Sequence, residues 1–148
     1  MKMRRECPGY VGSHFHPDRP FGTMVGGFRN EDVERQTFAD DSFDLVVTLD
    51  VFEHVFEPRQ MLREIHRTLR PGGWYLCTFP IRKYQVENCK PRVRRSPDGA
   101  LVHLVEKPEY HGNPISGDGA LVTFDYGYDI HSLISHWTPF EVEVSRFS

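Results

Sequence analysis

The strongest pattern along the chain is a continuous apolar run, Phe43-Asp44-Leu45-Val46-Val47-Thr48-Leu49, entered through the turn-like Ala39-Asp40-Asp41-Ser42 and followed by Asp50. Continuous hydrophobicity with β-branched residues predicts a strand buried on both faces, as in a parallel sheet. Pro58 suits the first position of a helix. Met61, Leu62, Ile65 and Leu69 then recur on one helical face, with Arg59, Arg63, Glu64, Arg67 and Arg70 over the remainder. Pro71-Gly72-Gly73 predicts the helix stop, and residues 74–79 form a second apolar run ended by Pro80. Together these make a β-α-β unit, with the right-handed crossover such units favour.

The flanks carry shorter signals. Residues 10–15 predict a short strand and 23–28 another, interrupted by Gly26-Gly27, with one helical turn over 31–36. Residues 120–126 predict a strand, 129–137 a short helix, and the alternation over 140–147 a final strand. Two late strands without a long helix between them predict an antiparallel edge on an otherwise parallel sheet.

At 148 residues, with 39% hydrophobic and 26% charged residues, the chain has the composition of one soluble globular domain. No apolar run approaches the ~20 residues of a membrane span, and no apolar stretch follows the basic start to make a signal peptide. A net charge of −3 argues against nucleic acid as a partner. Cys7, Cys77 and Cys89 suggest neither a disulfide framework nor a metal knot, so a cytoplasmic location is expected. Segment 81–95 concentrates six Lys or Arg against one Glu and reads as a solvated loop.

Ligands of open α/β sheets bind beyond the carboxyl ends of the strands, which directs attention to the positions just after Leu49 and just after Phe79; after Leu49 comes the run Asp50-Val51-Phe52-Glu53-His54-Val55. Asp50, Glu53 and His54 share one face if this piece is helical. Such a set allows acid–base work by an imidazole oriented by a carboxylate, or metal binding by two carboxylates and an imidazole. It is equally compatible with a helix cap and local hydrogen bonds.

The segment from Phe38 to Val55, followed by Leu69-Arg70-Pro71-Gly72-Gly73, resembles the core of class I S-adenosylmethionine-dependent methyltransferases, in the flavour of the type 11 methyltransferase-domain group. Glu109-Tyr110-His111-Gly112-Asn113-Pro114 resembles a further segment of bacterial members. The resemblance implies S-adenosylmethionine as cofactor, with Asp32 on the adenine amino group, Val33 against the adenine ring, and Leu49, Asp50 and Val51 along the methionine side. Methyl transfer rests mainly on alignment of acceptor and methyl group; His54 or His111 would act as base if the acceptor must lose a proton. Two family features have no counterpart here. The glycine-rich first motif is absent before Tyr10, and Ser13-His14 stand where a carboxylate would hold the ribose.

The expectation is therefore a single α/β domain over 1–148, a truncated Rossmann-like methyltransferase sheet lacking its first strand, mostly parallel with an antiparallel C-terminal edge strand. Its function would be methyl transfer to a small-molecule acceptor, and no metal is assigned. The alternatives are a non-catalytic remnant acting as an interaction domain, or a fragment of a longer enzyme. The edge of strand 43–49 left open by the missing strand is expected to close by homodimerisation or by the N-terminal segment moving into the gap.

Overall fold

A computed structural model describes residues 2–81, 88–112, 117 and 119–145. Its elements are α1 (Lys2–Glu6), β1 (Ser13–His14), β2 (Met24–Val25), β3 (Phe28–Asn30), β4 (Phe43–Leu49), α2 (Pro58–Thr68), β5 (Leu69–Thr78), β6 (Lys90–Pro91), β7 (Val93–Arg95), β8 (Leu101–His103), β9 (Tyr110–His111), β10 (Ala120–Leu121), β11 (Phe124–Asp125) and α3 (Ile130–Trp137). A 3-10 turn at Phe52–His54 follows β4.

The β4–α2–β5 unit is the frame. β4 and β5 run parallel, with Val46 opposite Tyr75 and Val47 opposite Leu76. Pro58 opens α2, which buries Met61, Leu62, Ile65 and Thr68. The helix ends one residue earlier than its apolar spacing suggests: Leu69 is buried but already belongs to β5. Its last carbonyls are satisfied from the entrance of β4, where Asp41 N–H donates to Arg67 O and Ser42 N–H to Thr68 O. Pro71-Gly72-Gly73 is not a plain stop either; it forms an irregularity within β5, where the register jumps from Leu69 opposite Phe43 to Trp74 opposite Leu45. Gly73 permits the close approach, since a Cβ there would stand 2.9 Å from the Arg70 carbonyl oxygen and 3.2 Å from that of Asp44.

One face of this pair joins the core, made of Phe52, Val55, Met61, Leu62, Ile65, Leu69, Tyr126, Ile130 and Ile134, with Val46, Tyr75 and Cys77 packed against it. On the same face the Thr48 and Tyr75 hydroxyls are 2.7 Å apart, and burial pushes the Tyr75 phenol and the Cys77 thiol up from their usual ranges. The opposite face is bare: Leu45, Val47, Leu49, Trp74 and Leu76 are exposed, Trp74 to 70%. The strand predicted to be buried on both faces is covered on one.

Elsewhere the elements are shorter than their sequence signals. β1 pairs parallel with β3, and β2 folds back on β3 through Gly26-Gly27. Residues 31–36 form no helical turn; an Asp32–Arg35 bridge closes a tight turn instead. The predicted strand over 120–126 is split between β10, which pairs with β9, and β11, which pairs with β6. These ladders and β7–β8 are antiparallel and supply the antiparallel character of the C-terminal half. Residues 140–145 join no ladder, so the final strand predicted there does not form among the described residues. The basic segment is also no solvated loop at residues 90–95: Arg92 is buried, its Nη1 3.0 Å from Asp125 Oδ2, and this paired carboxylate is what permits the guanidinium to leave water. Residues 82–87 of that segment lie outside the described ones. Nor does the N-terminal segment fill the open edge of β4, which among the described residues pairs only with β5.

The two faces of the β4–β5 pair predict opposite mutational responses. Leu62→Ala should cost about 2–5 kcal/mol in denaturant unfolding, whereas Leu76→Ala should stay within about 0.5 kcal/mol. A large loss at Leu76 would mean that the exposed face is covered in solution.

Candidate functional site

β4 ends at Leu49 and the backbone turns sharply at Asp50, which adopts φ 51°. This left-handed conformation is tolerated by Asp because its short polar side chain bonds locally. Here Asp50 N–H donates to the Thr78 carbonyl at 3.0 Å, and Thr78 Oγ1 donates to Asp50 Oδ1 at 3.2 Å. The loop after β4 is thereby tied to the end of β5.

The 3-10 turn comes next, with Phe52 fully buried. Three residues of 3-10 helix carry little stability of their own. Partners far along the chain hold the turn: Tyr126 OH donates to the Phe52 carbonyl at 2.9 Å, Thr123 N–H to the Glu53 carbonyl at 2.7 Å, and Thr123 Oγ1 to the Val55 carbonyl. Phe52 and Tyr126 also meet edge to face at 5.4 Å. Glu34 adds a clasp, its Oε1 accepting the backbone N–H groups of Phe56 and Glu57; burial raises its carboxyl above the usual range.

This places Asp50, Glu53 and His54 around an open cavity of about 400 Å³, completed by Phe79, Pro80, His111 and Gly112. Such a volume suits a small ligand. The cavity lies at the carboxyl ends of β4 and β5, where ligands of open α/β sheets bind. His54 and His111 meet edge to face, their centroids 5.4 Å apart. His54 Nδ1 lies 2.8 Å from the Leu121 carbonyl oxygen. Since a carbonyl only accepts, Nδ1 carries a proton, and in the neutral ring Nε2 then offers a lone pair. His111 Nε2 lies 3.2 Å from Glu109 Oε1.

Of the residues singled out from sequence, the structure gathers His54, His111 and Asp50 at one cavity, with Leu49 and Val51 flanking Asp50 in the chain. Asp32 and Val33 do not line it. Asp32 follows β3, its Oδ1 accepting the Glu34 N–H at 2.9 Å, and Val33 packs against the core. Phe79 and Pro80 stand at the second strand end the sequence points to, whereas sequence reasoning did not find Glu109 as the partner of His111. The Leu121 carbonyl has no side-chain signature and could not have been found.

A family model described as "Methyltransferase domain" matches residues 14–77. The ubiquinone biosynthesis O-methyltransferase of Ruegeria pomeroyi is 37% identical over 51 residues, covering 34% of this chain and 21% of that protein. An uncharacterized methyltransferase of Mycobacterium tuberculosis is 32% identical over 79 residues, covering 49% of this chain and 31% of that one. The crystal structure of an S-adenosylmethionine-dependent methyltransferase from Mesorhizobium loti superimposes with a TM-score of 0.51 at 19% identity, over 79% of this chain and 54% of that one. The chain thus matches only about a fifth to a third of the length of these curated relatives. The matches bear out the resemblance read from the sequence, and the structural likeness bears out the α/β, Rossmann-like fold.

The geometry makes two stability predictions. Tyr126→Phe leaves the Phe52 carbonyl only the longer bond from the Val55 N–H at 3.3 Å and should cost about 0.5–1.5 kcal/mol in denaturant unfolding. Glu34→Gln keeps the acceptor oxygen but removes the half-buried charge. Because the folded carboxyl is raised, wild type is favoured below the ordinary Glu range and loses that contribution as pH rises through the raised value. Glu34→Gln should therefore gain stability relative to wild type near neutral pH and gain nothing in acid, as measured by thermal unfolding against pH.

Proposed function

We propose that this chain, a member of the class I S-adenosylmethionine-dependent methyltransferases whose domain signature spans residues 14–77, serves methyl transfer from S-adenosylmethionine to a small-molecule acceptor. The observation that carries this reading is the convergence of Asp50, His54 and His111 on one cavity at the carboxyl ends of β4 and β5. An oxygen acceptor is in keeping with the Ruegeria pomeroyi relative, which is named an O-methyltransferase.

The cofactor supplies a methyl group on a sulfonium, a strong donor that needs an aligned acceptor more than an acid or base. The chain's own part is to seat that acceptor between the loop after β4 and the His111 side of the cavity. In the neutral imidazole whose Nδ1 donates to Leu121, His54 Nε2 takes the proton of an acceptor hydroxyl. Phe79 and Pro80 give the cavity an apolar wall.

The fit to the cofactor is uneven. Asp50, at the end of β4, suits the methionine side, and Asp32, just beyond β3, suits the adenine. A glycine cradle for the nucleoside is missing among the described residues. Gly12 does not provide one, because an added Cβ would meet the Tyr10 hydroxyl at 2.9 Å and the Phe28 ring at 3.0 Å, so the glycine serves packing. His14 stacks on Phe28, with ring centroids 3.9 Å apart, and offers no carboxylate to the ribose. The bare apolar face of β4 and β5 favours a second reading, an interaction domain that associates through this face, including as a homodimer.

Calorimetric titration with S-adenosylhomocysteine separates the two. Methyl transfer predicts saturable binding that is lost in Asp32→Ala, whose fold is checked by circular dichroism. No binding at millimolar ligand overturns independent methyl transfer and leaves the interaction reading.

A further inference from the structure

We propose that Glu53, His54 and His111 bind one divalent transition-metal ion of the zinc type. Glu53 Oε1 lies 3.8 Å from His54 Nε2 and 3.5 Å from His111 Nδ1, and one donor atom from each of the three residues falls within 4.8 Å of the others. Around an ion with bonds near 2.1 Å, tetrahedral donors stand roughly 3.4 Å apart. The two Glu53–histidine separations are close to that spacing, and the three groups are not hydrogen-bonded to one another.

Two independent features aim these atoms at an ion. The far nitrogen of each imidazole is already engaged: His54 Nδ1 with the Leu121 carbonyl at 2.8 Å, and His111 Nε2 with the Glu109 carboxylate at 3.2 Å. This is the outer-shell arrangement that fixes a ligating histidine's tautomer and turns its other lone pair inward. The second feature is Glu53 itself. Its side chain is 2% exposed, and its Oε2 has no hydrogen-bond partner among the described residues. A carboxylate so withdrawn from water calls for a positive charge beside it.

Two nitrogens and one carboxylate oxygen suit zinc, cobalt or nickel rather than magnesium or calcium, which prefer all-oxygen shells. Three protein donors leave the remaining position facing the open cavity, as in metal sites that take water or substrate. Asp50 lines the same cavity, but its Oδ1 accepts from Thr78 and it falls outside the ligand cluster. With the ion bound, His54 would hold it rather than accept a proton, and an acceptor hydroxyl would lose its proton on the metal.

The test uses the full chain stripped of metal with a chelator, then titrated with Co2+ and Zn2+. One equivalent of Co2+ should give visible ligand-field absorption of four- or five-coordinate strength, which Zn2+ abolishes by displacement. His54→Gln and His111→Gln should each weaken Zn2+ binding by at least about tenfold, and Glu109→Gln by roughly tenfold through loss of the outer-shell carboxylate. His14→Gln/His16→Gln, which removes the other close histidine pair, should leave binding unchanged. Circular dichroism checks each fold; if His54→Gln does not fold, the partly exposed His111 and Glu109 decide. No binding at millimolar Zn2+, or binding unaffected by the His111 and Glu109 changes, overturns the site. Zn2+ binding without S-adenosylhomocysteine binding overturns methyl transfer alone, and the converse overturns the metal site alone.

Discussion

The structure depends on a clamp between two segments some seventy residues apart. The turn after β4 is too short to hold its own shape, and three carbonyl groups in and beside it, those of Phe52, Glu53 and Val55, accept hydrogen bonds from two later residues, Thr123 and Tyr126. A buried carbonyl without a donor is costly, so the turn and the later segment form together. Everything at the cavity follows from this clamp: Glu53 is carried on the turn's buried side, His54 is fixed by the neighbouring Leu121 carbonyl, and β9, bearing His111, is held against β10 by pairing.

The same constraint explains how charge enters the interior. Asp125 sits in β11 beside the clamp and meets Arg92, which also lies 3.4 Å from Glu109. Glu109 in turn reaches His111. A buried ion pair is weak evidence for stability by itself. Its structural effect here is to link β11, the strand pair near Arg92 and the segment before His111, so that the cavity wall is braced by charges as well as by the core.

The frame was legible in the sequence, and most of the cavity's contacts were not. Met61, Leu62 and Ile65 announce α2 because a helix burying one face must repeat its apolar residues, and the run through Val46 and Val47 announces β4. The run misled on burial, because continuous hydrophobicity reports what a strand is suited to pack against, not what is present to cover it. Residues 120–126 read as one strand since Val122, Thr123 and Phe124 all favour extended backbone. The break arises because the Thr123 N–H and hydroxyl bond the turn while its carbonyl accepts the N–H groups of Arg92 and Val93, so pairing passes from β9 to β6 at this point. Asp50, His54 and His111 were recognisable as reactive groups near strand ends. Their meeting depends on pairing between β9 and β10, and such long-range pairing leaves little trace in local pattern.

The uncovered face of β4 and β5 has a calorimetric consequence. Water ordered against Leu45, Leu49, Trp74 and Leu76 contributes to the heat capacity of the free chain. Any molecule that settles on those side chains releases that water, so its binding enthalpy should become more negative as temperature rises. A ligand confined to the polar cavity beyond Asp50 would carry much less of this signature. The temperature slope of a binding enthalpy therefore tells which of the two surfaces a newly found partner has chosen.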